Sequence, residues 1–158
     1  MSDEPKKRKG FAEELPAALA VVSGYVAALA AGDSTAMADL RTADFVLDWA
    51  HGDAFADNPL SAMNTAAFWP AWFAAFPEMD YEVTRTIAAE TVVVTQWIFT
   101  GTHAQPLGPP VFDPVMPPSG RTVRFRGVSV YDVVDGRIQR ETTYLDLATL
   151  LVELGVQL

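Results

Sequence analysis

The chain contains no cysteine among its 158 residues. That absence removes disulfides, thiol nucleophiles and cysteine-ligated zinc or iron-sulfur centres together. Histidine is nearly as scarce, with only His51 and His103 present, which argues against a histidine-rich metal site. Asp48, His51 and Asp53 stand close in sequence, but no matching set of further ligands occurs elsewhere, so no metal and no cofactor is expected. Long hydrophobic runs are missing as well. Nothing approaches the roughly 18 uninterrupted apolar residues of a spanning helix, and the start lacks the apolar core of a secretory signal. The expectation is a cytoplasmic protein without membrane contact.

What is present is enough for a core. Half of the residues are hydrophobic and a fifth are charged, a balance in which apolar burial can outweigh chain entropy. The length suits one domain, expected over residues 11–158, with residues 1–10 as a flexible basic tail. Those ten residues hold four basic and two acidic side chains, and the remaining seven basic residues face eighteen acidic ones, which leaves the body at −11. A body so acidic repels phosphate backbones, so nucleic acid is not an expected partner.

Hydrophobic periodicity divides the chain into helices first and strands after. Leu15, Leu19, Val22, Val26 and Leu29 form a helical stripe over residues 11–31, ended by Gly32-Asp33, and Asp33 or Ser34 can cap a second helix to about Leu40. Phe45 to Leu47 is a short apolar run, and residues 50–64 read as a loop. Over residues 65–76, Phe68, Trp69, Trp72, Phe73 and Phe76 fall near one helical face, and Pro77 stops the helix. Residues 81–87 and 91–105 alternate as strands, the two Pro-Pro pairs place residues 106–120 in an irregular loop, and residues 122–134 and 137–145 flank Asp135-Gly136, a strong hairpin signal. A short apolar helix follows over residues 146–154. The order predicts an α+β fold, with a curved antiparallel sheet wrapped around N-terminal helices and a short C-terminal helix.

Several of these segments, in this order, resemble the SnoaL-like polyketide cyclase and ester cyclase family, within the nuclear-transport-factor-2-like cone fold that also houses ketosteroid isomerase. They are Tyr25 to Asp33, Phe76-Pro77, Trp97 to His103, Pro118 to Arg121, Phe125 to Gly127, and Asp135 to Ile138 leading to Asp146 through Leu151 and Leu154-Gly155. The resemblance implies a cone-shaped barrel and a cofactor-independent cyclase or isomerase. Such an enzyme uses acid/base catalysis on a hydrophobic keto or polyketide-like small molecule in an enclosed pocket. A homodimer or higher homo-oligomer is also implied. The sequence departs from the family where Arg140 stands at an often acidic position and Thr142 where an aromatic is frequent.

For Asp146 the resemblance implies a general acid/base in an apolar pocket, with its pKa raised by desolvation. The residues alone allow another reading, because Asp146 directly precedes an apolar helix and is a natural N-cap. A two-residue turn at Asp135-Gly136 would pair Tyr131 with Arg140, Ser129 with Thr142 and Phe125 with Asp146, provided that no bulge intervenes. Asp146, Thr142 and Arg140 would then share the inner face with Phe125 and Tyr131. There Arg140 could hold a ligand oxyanion or Asp146 itself, and Tyr131 could stabilise oxyanion charge. His103 either points into the cavity to orient a substrate oxygen or closes a strand end against the next loop. Trp49, Trp69, Trp72, Phe73 and Phe76 either line a flat apolar cavity or pack the core, and Trp97 and Phe99 are pocket wall or core. The alternative to catalysis is a non-catalytic small-molecule-binding domain of the same fold.

Overall fold

The computed structural model describes residues 15–50, 59–60 and 62–158. The basic tail, and His51 and Asp53 with the metal question they raised, lie outside the described residues. Among the described residues four helices and five strands follow one another as α1 (Ala17–Ala30), α2 (Ser34–Asp39), β1 (Arg41–Ala50), α3 (Ala62–Ala75), β2 (Met79–Ala88), β3 (Val92–Thr102), β4 (Thr122–Val134), β5 (Arg137–Leu145) and α4 (Leu147–Glu153). No helix among the described residues is long and apolar enough to cross a membrane.

The strands form one sheet in the order β1-β5-β4-β3-β2. β2 through β5 make an antiparallel meander, as the alternation predicts, but β1 joins the free edge of β5 in parallel. The purely antiparallel expectation is therefore corrected to a mixed sheet. Only the short apolar run Phe45 to Leu47 signalled β1, because apart from Trp49 its other positions are polar or small, and the strand gains its pairing from β5 rather than from local pattern. At the hairpin, Asp135 and Gly136 both adopt positive φ, 50° and 74°. That is the conformation a two-residue turn needs to match the right-handed twist of its strands.

One face of the sheet is covered by the helices. From α1 the buried Val22, Tyr25 and Leu29 pack inward, and from α3 and the residue that follows it come Phe68, Trp72 and Phe76, each at most 3% exposed. They meet Trp97 and Phe99 of β3 and Phe125 and Tyr131 of β4, all buried as well. Trp72 is the hub, with ring centroids 4.8 Å from Phe76, 5.2 Å from Phe99 and 5.5 Å from Trp49. Edge-on and tilted aromatic contacts of this kind bring attraction beyond the area they bury. Pro70 lies within α3 and is exposed, so the pattern of aromatic burial runs through it unbroken.

The register of the hairpin differs from the simple count, and the difference decides the site. Val134 opposes Arg137 and Val133 opposes Ile138, but Asp132 then opposes Arg140, which leaves Gln139 as an extra residue on β5. Beyond this bulge Tyr131 pairs with Glu141, Ser129 with Thr143 and Gly127 with Leu145. A one-residue shift sends every later side chain to the opposite face. The expectation that Arg140, Thr142 and Asp146 face inward is thereby corrected: Glu141 and Thr143 do. β1 is irregular at the same place, since Arg41 opposes Ile138 while Val46 already opposes Arg140. Gln139 and Asp44, both from the irregular stretches, join through a hydrogen bond of 3.3 Å from Gln139 Nε2 to Asp44 Oδ2.

Candidate functional site

Between the helices and the sheet lies a cavity of about 430 Å³, counted with its mouth. Its walls are largely aromatic: Trp49 from β1, Trp69 and Trp72 from α3, Tyr81 from β2, Trp97 and Phe99 from β3, and Phe125 and Tyr131 from β4. Leu29 of α1 completes the apolar lining. The polar members are Ser129, Glu141 and Thr143. Each faces inward because of the register set by the β5 bulge or by its partner across the strand pair.

These three polar groups form a directed chain. The indole Nε1 of Trp97 donates to Ser129 Oγ at 2.9 Å. Ser129 Oγ and Thr143 Oγ1 are 2.7 Å apart, and Thr143 Oγ1 donates to Glu141 Oε2 at 3.0 Å. An indole can only donate and a carboxylate can only accept. The two hydroxyls must therefore both point their protons toward Glu141. This holds Oε2 in place and leaves the other oxygen, Oε1, buried with no hydrogen-bond partner.

Glu141 is 2% exposed. Burial pushes its carboxyl up to about 7, against the opposing pull of the Thr143 hydrogen bond, the Arg41 charge and the nearby Tyr131 hydroxyl. Removing water from around a carboxylate penalises its charged form, which is why desolvation dominates. The Tyr131 hydroxyl is itself buried without a hydrogen bond of normal geometry, and burial raises its pKa well above that of a free phenol. It stays protonated and can donate. A carboxyl with both protonation states accessible near neutrality thus stands beside a phenolic donor in an apolar cavity, an arrangement suited to moving a proton to and from carbon or oxygen.

Of the residues singled out from sequence, Trp49, Trp69, Trp72, Trp97, Phe99, Phe125 and Tyr131 line this cavity. Phe76 lies behind the lining, packed on Trp72, Phe99 and His103. Arg140 and Thr142 are on the outer face, where Arg140 Nη2 reaches Asp48 Oδ2 at 2.7 Å and Arg140 Nε lies 3.3 Å from Thr142 Oγ1. Asp146 is exposed and outside the cavity. Its Oδ1 accepts from the Thr149 N–H at 3.1 Å and its Oδ2 from the Thr149 hydroxyl at 2.7 Å. The Thr149 hydroxyl, followed by its backbone N–H, holds the Asp146 carboxyl below the usual carboxylate range. The cap reading of Asp146 describes its position. His103, 1% exposed, is buried at the end of β3, where its Nδ1 accepts from the Ser119 N–H at 3.2 Å and lies 3.0 Å from Ser119 Oγ. Its ring ties the loop of residues 106–120 back to the strand and is absent from the cavity wall.

Glu141, Thr143, Tyr81 and Leu29 were not picked out as site residues. Neither strand phase of β5 is apolar, since one places Arg140 and Thr142 inside and the other Glu141 and Thr143, so hydrophobic pattern does not choose. The one available signal was Tyr131 and Ser129 on β4, whose partners become Glu141 and Thr143 once a single-residue bulge is allowed.

A family model described as SnoaL-like polyketide cyclase matches residues 19–154. Among solved structures, the chain is similar to AclR from Streptomyces galilaeus, a candidate hydroxylase, with TM-score 0.71 and 25% identity, covering 87% of this chain and 94% of that one. It is similar to IdmH from Streptomyces antibioticus, a candidate polyketide cyclase, with TM-score 0.67 and 27% identity over 87% of this chain and 98% of that one. A candidate SnoaL-like polyketide cyclase from Jannaschia sp. CCS1 shares the fold at 18% identity and TM-score 0.73, with 92% and 99% of the two chains covered. No curated protein matches the chain in sequence.

Proposed function

Because the chain belongs to the SnoaL-like polyketide cyclase family, we propose that it catalyses proton transfer and ring closure on a hydrophobic keto compound, with Glu141 as the acid/base. The observation that carries this reading is the unpartnered Oε1 of Glu141 beside an apolar cavity, while Oε2 is anchored through Thr143, Ser129 and Trp97. In its ionised form Glu141 takes a proton from the carbon next to a substrate carbonyl. The electron pair moves onto the carbonyl oxygen, and the Tyr131 hydroxyl donates a hydrogen bond to the developing oxyanion. The enolate carbon then attacks a second carbonyl of the same molecule. Protonated Glu141 returns its proton to the new alkoxide, so the enzyme ends as it began. Trp49, Trp72, Trp97 and Phe125 supply flat apolar surface to hold conjugated rings.

The first half-step is testable without the natural substrate. Incubated with 2-acetylnaphthalene in D₂O, the protein is expected to accelerate exchange of the methyl protons for deuterium, followed by NMR. Glu141→Gln should lower that rate by about 10²- to 10⁴-fold, the range for loss of a positioned general base. Asp146→Asn should leave it unchanged. Equal exchange in wild type and Glu141→Gln would remove Glu141 from the mechanism. Binding of the ketone with no exchange in either protein would support the binding-domain reading instead.

A further inference from the structure

A buried carboxyl that must ionise near neutrality needs a counter-charge or it remains protonated. Arg140, its sequence neighbour, does not provide one, since it is turned outward onto Asp48. The inner cation is Arg41, the first residue of β1, whose Cα lies opposite Ile138, three residues before Glu141 on β5. Its guanidinium carbon sits 5.4 Å from the centroid of the Phe45 ring, and its Nη1 is buried with no hydrogen-bond partner. From α1, the fully buried Tyr25 also has an unpartnered hydroxyl, and its ring packs edge-on against Tyr131 at 5.8 Å. Tyr131 is in turn the cross-strand partner of Glu141. Arg41 Nη1, the Tyr25 hydroxyl and Glu141 Oε1 are thus three buried polar atoms without a hydrogen bond of normal geometry, and the Arg41 charge acts on both Tyr25 and Glu141. Neither Arg41 nor Tyr25 is part of the lining.

We propose that Arg41 is a positioning residue that acts from behind the cavity wall, with Tyr25, to set how readily Glu141 gives up its proton, without touching the substrate. This rests on the reading of Glu141 as the acid/base. The titratable and charged groups that act on Glu141 or are acted on by it are Tyr25 from α1, Arg41 from β1, Tyr81 from β2 and Tyr131 from β4. Burial raises all three phenols, so they stay neutral. Among the described residues Arg41 is then the one charge opposing the desolvation of Glu141. Its attraction also reaches Tyr25, which links the two ends of the cluster.

The test is a pH titration of the whole chain carrying ¹³C-carboxyl-labelled glutamate, with the Glu141 resonance assigned from its loss in Glu141→Gln. In wild type the midpoint is expected near about 7. In Arg41→Gln it should rise by about one unit or more, and Arg41→Lys, which keeps a cation, should recover most of that rise. An unmoved midpoint in Arg41→Gln overturns the proposal while leaving Glu141 as the acid/base intact. A wild-type midpoint in the ordinary glutamate range overturns the Glu141 reading itself, whatever Arg41 does. Should Arg41→Gln fail to fold, the double variant Arg41→Gln/Glu141→Gln decides. Recovery of the near-ultraviolet signature of its four tryptophans supports the pairing of the two charges, and persistent unfolding overturns it.

Discussion

Glu141 and Asp146 lie five residues apart on one strand and its exit, and their surroundings push their proton affinities in opposite directions. Asp146 accepts two hydrogen bonds from Thr149 in contact with solvent, and each favours the charged form. Glu141 keeps one anchored oxygen and loses its water, which favours the neutral form. The sign for Asp146 follows: a depressed folded pKa stabilises the fold above the unfolded pKa, and that contribution fades as the pH falls through the folded value. Asp146→Asn should melt close to wild type because asparagine caps nearly as well, whereas Asp146→Ala should melt lower. A thermal scan at neutral pH separates the two. Ser129 is the residue on which the internal chain depends. Ser129→Ala strips the Trp97 N–H of its acceptor and Thr143 of a partner, both in the interior. Leaving such groups unsatisfied costs about 1–3 kcal/mol, readable by urea denaturation.

At the level of elements, the bulge at Gln139 determines which side chains enter the cavity. Its consequence was legible only as a conditional. The turn at Asp135-Gly136 correctly predicts that Val134 meets Arg137, yet the count from that point misplaces every later pair by one residue. The polar character of both phases of β5 hid the shift, and so Arg140 and Thr142 were expected where Glu141 and Thr143 stand. The same strand pair carries a second constraint. A Cβ added at Gly127 would lie 2.4 Å from the Trp97 ring and 2.7 Å from the Tyr144 carbonyl oxygen. One of those neighbours is backbone and the other is the donor that starts the polar chain. Gly127→Ala should therefore destabilise by about 1–3 kcal/mol or more. It should also change the Trp97 fluorescence, because the indole has to leave Ser129. Wild-type stability and an unchanged emission spectrum would contradict this packing.

Across the whole molecule, strong periodicity made most elements readable. The aromatic stripe of α3, the alternation of β3 and the hairpin turn all depend on local spacing that the fold preserves. β1 was not readable as a parallel edge strand, because its partner is some ninety residues away and its polar positions gain their meaning only from β5. The lining aromatics were legible for the same local reason that α3 and β3 were. The working carboxyl was not, since it required the register of two distant elements at once. Burial of that carboxyl also couples the site to global stability. A folded pKa near about 7 against an ordinary 4.5 means that the unfolded chain releases the Glu141 proton first as the pH rises. The folded state therefore loses ground between those values, and the full penalty is present above about pH 7.

The most direct measurement is the unfolding free energy of wild type and Glu141→Gln by denaturant titration, at several pH values from 5 to 8. Glutamine fills the same space and cannot ionise, so all other titrating groups cancel in the difference. The wild type is predicted to weaken relative to Glu141→Gln by about 2–3 kcal/mol across that range as the pH rises. A difference that stays flat, or that moves in favour of wild type with rising pH, would mean that Glu141 is ionised in ordinary fashion and is not the buried proton carrier of this cavity.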